Sequence, residues 1–212
     1  MIKELVVAIV NGSHEYRDLF NDLGMNVSEY HPEDIDDYAL VCFTGGEDVS
    51  PDLYGDAKHK YTGNNPFRDE KEKAIFNQCI EYSIPMVGIC RGAQFLNVMS
   101  GGRMYQHVSN HTRSHMLVNA RTGENVYVSS THHQMMMPGE NAIILAYSTL
   151  GGEREWYDGQ IFKRDISNTD YEVLLYEDTK CLCFQPHPEF YGVEYEDMRE
   201  LFFTFLKEEL GL

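Results

Sequence analysis

Basic residues are scarce in this chain. Lys and Arg number 17 against 34 Asp and Glu, giving a formal net charge of −17. So acidic a surface repels phosphate backbones and anionic lipid, which argues against nucleic acid and membranes as partners. No uninterrupted apolar run approaches the roughly 18 residues that cross a bilayer. The short run from Leu5 to Val10 stops at Asn11 without a small-residue cleavage pattern. It therefore reads as a first strand rather than a secretion signal, and the chain as cytoplasmic. Cysteine is also thin, five residues and an odd number, which excludes a disulfide framework. Cys181 and Cys183 lie two apart on an expected strand and share a face. They read as small core residues, the alternative being a zinc half-site whose partners cannot be placed. Trp occurs once. Repeats, low-complexity tracts and linkers are lacking, so residues 1–212 are expected to form one domain.

What remains is ordinary globular material, 42% hydrophobic and 24% charged over 212 residues, enough to bury a core. Residues 5–10 and 38–43 are continuous apolar runs, as in strands buried on both faces. Residues 16–23 read as a helix closed by Gly24, and 25–30 as a short strand. Asn65-Pro66 opens a helix running to about Ser83, with Asn as the cap and Pro in the first turn. Its expected apolar stripe is Ile75, Phe76, Cys79 and Ile80. A strand at 85–90 and a helix at 93–99 follow. This alternation predicts an α/β fold, a mostly parallel sheet with helices on both faces. Residues 103–147 turn strand-like, with a hairpin at 119–124, adding a short antiparallel section. Residues 151–170 are polar and match no pattern. Strands at 171–176 and 180–185 and an amphipathic helix at 194–210 close the chain.

The strongest local signal is Val87-Gly88-Ile89-Cys90-Arg91-Gly92-Ala93-Gln94. A buried strand ends at a Cys and a helix begins at once, flanked by glycines. That pattern fits a nucleophile elbow, with the thiol at a helix N-terminus that favours thiolate. A structural Cys ending a strand would look the same. Gln185-Pro186-His187-Pro188-Glu189 could supply a base and a carboxylate to orient it, although isolated His-x-Glu pairs are commonly solvated. Thr44-Gly45-Gly46 follows another strand. Its glycine N–H groups, with that of Arg91, could form an oxyanion hole, or the segment could be a plain turn. His107, His111 and His115 are spaced four apart, but the residues between them give no helical pattern, so no metal site is expected.

Taken together, Thr44-Gly45-Gly46-x-Asp48-Val49-x-Pro51-x-x-Tyr54-Gly55, Arg68-Asp69, Gly88-Ile89-Cys90-Arg91-Gly92-x-Gln94, Gly101-Gly102-x-x-Tyr105-Gln106 and His187-Pro188-Glu189 resemble the class I glutamine amidotransferase-like family. The nearest branch is the γ-glutamyl hydrolase group, peptidase family C26, which includes γ-glutamyl-γ-aminobutyrate hydrolases. The resemblance implies a flavodoxin-like α/β fold and a triad of Cys90 as nucleophile, His187 as general base then acid, and Glu189 as orienter. It also implies an oxyanion hole from Gly46 and Arg91, and substrate contacts from Gln94, Gly45 and His133. His132 or His133 would line the pocket, unless the two form a turn of surface histidines. Ser129 and Pro186 stand where the family commonly has Asn and Trp. No cofactor is implied. The implied substrate is a γ-glutamyl amide, split to glutamate and ammonia or an amine through a thioester. Three readings follow: a stand-alone hydrolase, as a single chain or a homodimer; a glutaminase subunit feeding ammonia to a separate synthetase or ligase; and a non-catalytic binding member.

Overall fold

In a computed structural model, residues 6–212 are described, so the expected strand start at Leu5 lies outside them. The first half alternates as expected: β1 (Val6–Val10), α1 (His14–Asn21), β2 (Asn26–Glu29), β3 (Tyr38–Phe43), α2 (Pro66–Tyr82), β4 (Met86–Ile89) and α3 (Arg91–Met99). Strands β5 (Arg103–Tyr105), β6 (His107–Val108), β7 (His115–Asn119), β8 (Asn125–Val128), β9 (Met135–Met137) and β10 (Ile143–Ser148) follow. The chain ends with β11 (Gly152–Tyr157), β12 (Phe162–Ser167), β13 (Asp170–Tyr176), β14 (Cys181–Phe184) and α4 (Glu196–Leu210). The main sheet has nine strands in the order β2-β1-β3-β4-β14-β13-β10-β7-β8. Strands β2 through β14 in that order pair in parallel, and the pairings from β14 to β8 are antiparallel. The antiparallel part therefore extends the main sheet itself.

Alternation along each central strand divides the core between the two sheet faces. Val7, Ile9, Leu40, Cys42, Val87, Leu182 and Phe184 pack with Phe20 of α1 and Phe202 of α4. Ala8, Val10, Val41, Phe43, Met86, Cys181 and Cys183 pack with Phe76 of α2 and Phe95 of α3. Each fully buried Leu or Phe contributes about 1.5–3 kcal/mol. All five cysteines are free and buried.

Helix α2 departs from its expected stripe. Phe76 and Cys79 are buried, but Ile80 is exposed and two carboxylates, Asp69 and Glu72, are turned inward. They face the guanidinium of Arg91. The cap is as expected, the Asn65 side chain accepting from Arg68 N–H at 3.3 Å. The unmatched stretch 151–170 is a hairpin, β11 against β12, in a separate three-stranded sheet with β6.

Candidate active site

The site lies at the carboxyl ends of the parallel strands, where open α/β sheets place ligands. Cys90 follows β4 directly and caps α3, with φ 52° and ψ −110°. Few non-glycine residues adopt such a backbone, and it is stored strain of the kind found at reactive turns. Two glycines make the turn possible. A Cβ on Gly88 would fall 2.3 Å from the carbonyl of Gly92, and one on Gly92 would fall 2.0 Å from the oxygen of Phe43. The strand before the elbow pairs in parallel with β14, Ile89 opposite Phe184, and Cys90 N–H donates to the Phe184 carbonyl at 3.0 Å. The next segment of that neighbouring strand carries His187.

Cys90 and His187 line one cavity, and the thiol favours the charged imidazole. On its other side the ring is held by Glu189, with Nδ1 2.6 Å from Oε1. Phe190 stacks on the ring at 4.7 Å between centroids. Burial works against a charged imidazole here. The bond and charge of Cys90, then those of Glu189, outweigh it and push His187 from 6.5 up to about 10. At Nε2 the ring meets Thr131 Oγ1, 2.9 Å away. Ser129 fixes the backbone, accepting from His187 N–H at 2.9 Å. The residue that departs from the family's Asn thus anchors the His187 backbone.

A cavity of about 340 Å³ opens over the thiol. Its walls include Gly46, Cys90, Arg91, Gln94, His133 and His187. Both His132 and His133 border it; His132 is buried, and His133 Nε2 pairs with Asp48 Oδ1 at 3.2 Å. Gln94 Nε2 donates to the carbonyl of Gln134 at 3.2 Å and to Gln185 Oε1 at 3.1 Å. Gly45 is placed differently: a Cβ there would lie 3.4 Å from His187 Cε1, and its N–H donates to Tyr16 Oη at 3.0 Å. Its amide is therefore engaged within the protein. Burial, then the Glu189 charge, push the Tyr16 hydroxyl far up, so it stays protonated.

The Arg68-Asp69 motif is structural. Arg91 pairs with both Asp69 and Glu72. Asp69 also accepts from Ser50 N–H at 3.2 Å, and Arg68 donates to Glu72 at 2.7 Å and to the Thr44 carbonyl at 2.9 Å. The network ties the elbow helix to the glycine loop. Burial, aided by Arg68, lowers Arg91 to about 10, so it remains a cation at neutral pH. Sequence reasoning missed Thr131, Tyr16 and Glu72; only Thr131 had a signal, its place beside the two pocket histidines.

His107, His111 and His115 separate. His107 sits 4.7 Å from the Tyr61 ring and 6.1 Å from His133, beside the cavity. His111 and His115 turn away to meet Glu172.

A parallel sheet with a thiol on its elbow and a His-Glu pair on the adjacent strand defines the glutamine amidotransferase-like fold. Over 96% of this chain and 98% of the other, it is similar to a chain of PurLQS from Thermotoga maritima, at TM-score 0.64 and 17% identity. A glutamine amidotransferase from the same organism matches at TM-score 0.60 and 16% identity, over 97% of this chain and 85% of its own. In sequence, the glutamine amidotransferase-like protein YvdE of Lactococcus lactis is 34% identical over 163 residues, 63% of this chain and 69% of that protein. The model of the family described as Peptidase C26 matches residues 28–150, and the chain belongs to that family.

Proposed function

We propose that the protein is a cysteine-dependent hydrolase of γ-glutamyl amide bonds, with Cys90, His187 and Glu189 as its catalytic triad. The observation that carries this reading is that Cys90 and His187 line one cavity while Glu189 Oε1 holds His187 Nδ1 at 2.6 Å. Glu189 accepts the Nδ1–H of His187, which leaves Nε2 to exchange the thiol proton. With its pKa raised to about 10, His187 already holds the proton drawn from the thiol as Sγ attacks the γ-carbonyl carbon. The oxygen of the tetrahedral intermediate faces the backbone N–H groups of Gly46 and Arg91. His187 then protonates the departing nitrogen, and ammonia or an amine leaves behind a γ-glutamyl thioester. Water, deprotonated by His187, attacks that thioester; glutamate leaves and the thiol is restored. Gln94 and His133 hold the glutamyl part, and residues 1–212 act as one amidotransferase-like domain in the cytoplasm. Among the described residues no helix is long and apolar enough to cross a membrane.

A second cavity of about 670 Å³ shares Gly46 and His187 with the first and is lined by Ser13, Glu15, Tyr16, Phe190 and Tyr191. It offers room for an amine larger than ammonia beside the proton donor, which favours a stand-alone hydrolase over a glutaminase subunit. The test is a panel of glutamine and γ-glutamyl amines against wild type and Cys90→Ala, following glutamate. Release by wild type alone supports the proposal. No release from any compound with Cys90 reduced overturns it. Glutamine turnover that appears only on adding a synthetase or ligase transfers the activity to the two-chain reading.

A further inference from the structure

A second polar cluster takes no part in this chemistry. Four buried side chains converge there from separate segments: His111 from the loop after β6, His115 at the start of β7, His132 from the loop before β9 and Glu172 within β13. Each imidazole is held on its outer nitrogen by an oxygen. His111 Nε2 lies 3.0 Å from Asp170 Oδ2, His115 Nδ1 3.1 Å from the Arg113 carbonyl and His132 Nδ1 2.8 Å from the Gln134 carbonyl. Carbonyl and carboxylate oxygens accept only, so these nitrogens carry the N–H.

The inner nitrogens all turn to one carboxylate. His115 Nε2 is 2.7 Å and His111 Nδ1 3.4 Å from Glu172 Oε1, and His132 Nε2 is 3.9 Å from Oε2. In neutral rings those nitrogens present lone pairs, which then face an acceptor. His111 Nδ1, His132 Nε2 and Glu172 Oε2 are buried without a hydrogen-bond partner among the described residues. A proton on His115 satisfies one contact and leaves the other three atoms unmatched. A single divalent cation satisfies all of them.

We propose that His111, His115, His132 and Glu172 form a structural binding site for a zinc-class divalent cation, supported from outside by Asp170 and the carbonyls of Arg113 and Gln134. A tetrahedral ion with bonds of about 2.0–2.1 Å holds its ligand atoms roughly 3.3 Å apart. The ligand atoms of His111, His115 and Glu172 already lie within 4.8 Å of one another, so small ring rotations close the shell. Three imidazoles and one carboxylate suit Zn²⁺ better than Mg²⁺ or Ca²⁺, which prefer oxygen ligands. An acceptor on each outer nitrogen is the arrangement that orients metal-binding histidines. Protein groups fill all four positions, so the ion braces rather than reacts. What it braces lies close to the triad: Thr131, next to His132, touches His187, and Gln185 N–H donates to the Glu172 carbonyl at 2.8 Å.

The test uses the full-length chain, stripped with chelator and refilled with Zn²⁺ or Co²⁺. Wild type is expected to take up equimolar metal by elemental analysis and, with Co²⁺, to show tetrahedral visible absorption without a thiolate charge-transfer band. Glu172→Gln and His115→Ala should lose that ion, and Asp170→Ala should weaken it by roughly 10- to 100-fold. Cys90→Ala and His107→Ala should retain it. No uptake by wild type, a thiolate band, or equal uptake by Glu172→Gln overturns the site. Should the variants fail to fold, X-ray absorption on Zn²⁺-loaded wild type decides instead: imidazole scattering without sulfur supports the site, and sulfur ligation sinks it. None of these readouts depends on hydrolytic activity.

Discussion

Gly92 packs its Cα against the carbonyl of Phe43, so closely that a Cβ would come within 2.0 Å of the oxygen. The elbow and the end of β3 thus meet backbone to backbone. Gly92→Ala is expected to force them apart, at a cost of about 1–3 kcal/mol or more. Urea unfolding should show the lower midpoint, and glutamate release should fall with it, because the same shift moves the thiol.

Cys90→Ala should leave the fold intact and lower glutamate release by about a thousandfold or more. Steady-state assay beside a melting curve separates the two effects. A variant with normal melting and normal rate would remove the thiol from the mechanism.

Glu189→Gln replaces an acceptor that lies 2.6 Å from His187 Nδ1 with a group that can hold the wrong tautomer. The expected loss is on the order of 10²- to 10⁴-fold in kcat, with KM changed little. A large rise in KM alone would instead assign Glu189 to substrate binding.

Arg91→Met strands Asp69 and part of Glu72 in a buried position. Breaking a buried pair by removing one partner costs about 3–5 kcal/mol, which denaturant titration can read. An unchanged midpoint would show that Arg68 alone sustains the network.

The charged form of His187 has its pKa raised from 6.5 to about 10, burial opposing the rise and Cys90, then Glu189, producing it. A group raised on folding contributes stability that is whole below about 6.5 and is lost as pH rises through about 10. Wild-type stability should decline across that alkaline window. In Cys90→Ala the largest favourable partner is gone, so the decline should be shallower. Denaturation midpoints at several pH values test this.

Much of this was legible in the residues. The elbow announced itself because a reactive strand-to-helix turn needs glycine on both sides of the Cys, and both glycines prove sterically compelled. His187 and Glu189 were legible from the resemblance more than from their spacing. Hairpin β11–β12 stayed hidden because polar pairs hold it together: Arg154 stands opposite Asp165, and Arg164 meets Glu153, leaving little apolar alternation to read. Its turn was visible in part, since Asp158 accepts from Gln160 and Ile161 N–H ahead of Gly159. The inward face of α2 misled for a related reason: its carboxylates answer a cation that a distant segment provides. The histidines were judged by helical spacing, whereas a loop and a strand deliver His111 and His115 to Glu172.

Cys90 and His187 follow adjacent strands, β4 and β14, that are far apart in the order of synthesis. A chain still emerging from the ribosome therefore displays the edge of β4, and a sulfur with no imidazole beside it, until the last quarter has been made. Insertion of β14 seals that edge and brings His187 to Cys90 in one event. On the proposed mechanism topology therefore holds back premature reactivity, and during refolding the recovery of turnover should track closure of the sheet's centre rather than earlier collapse.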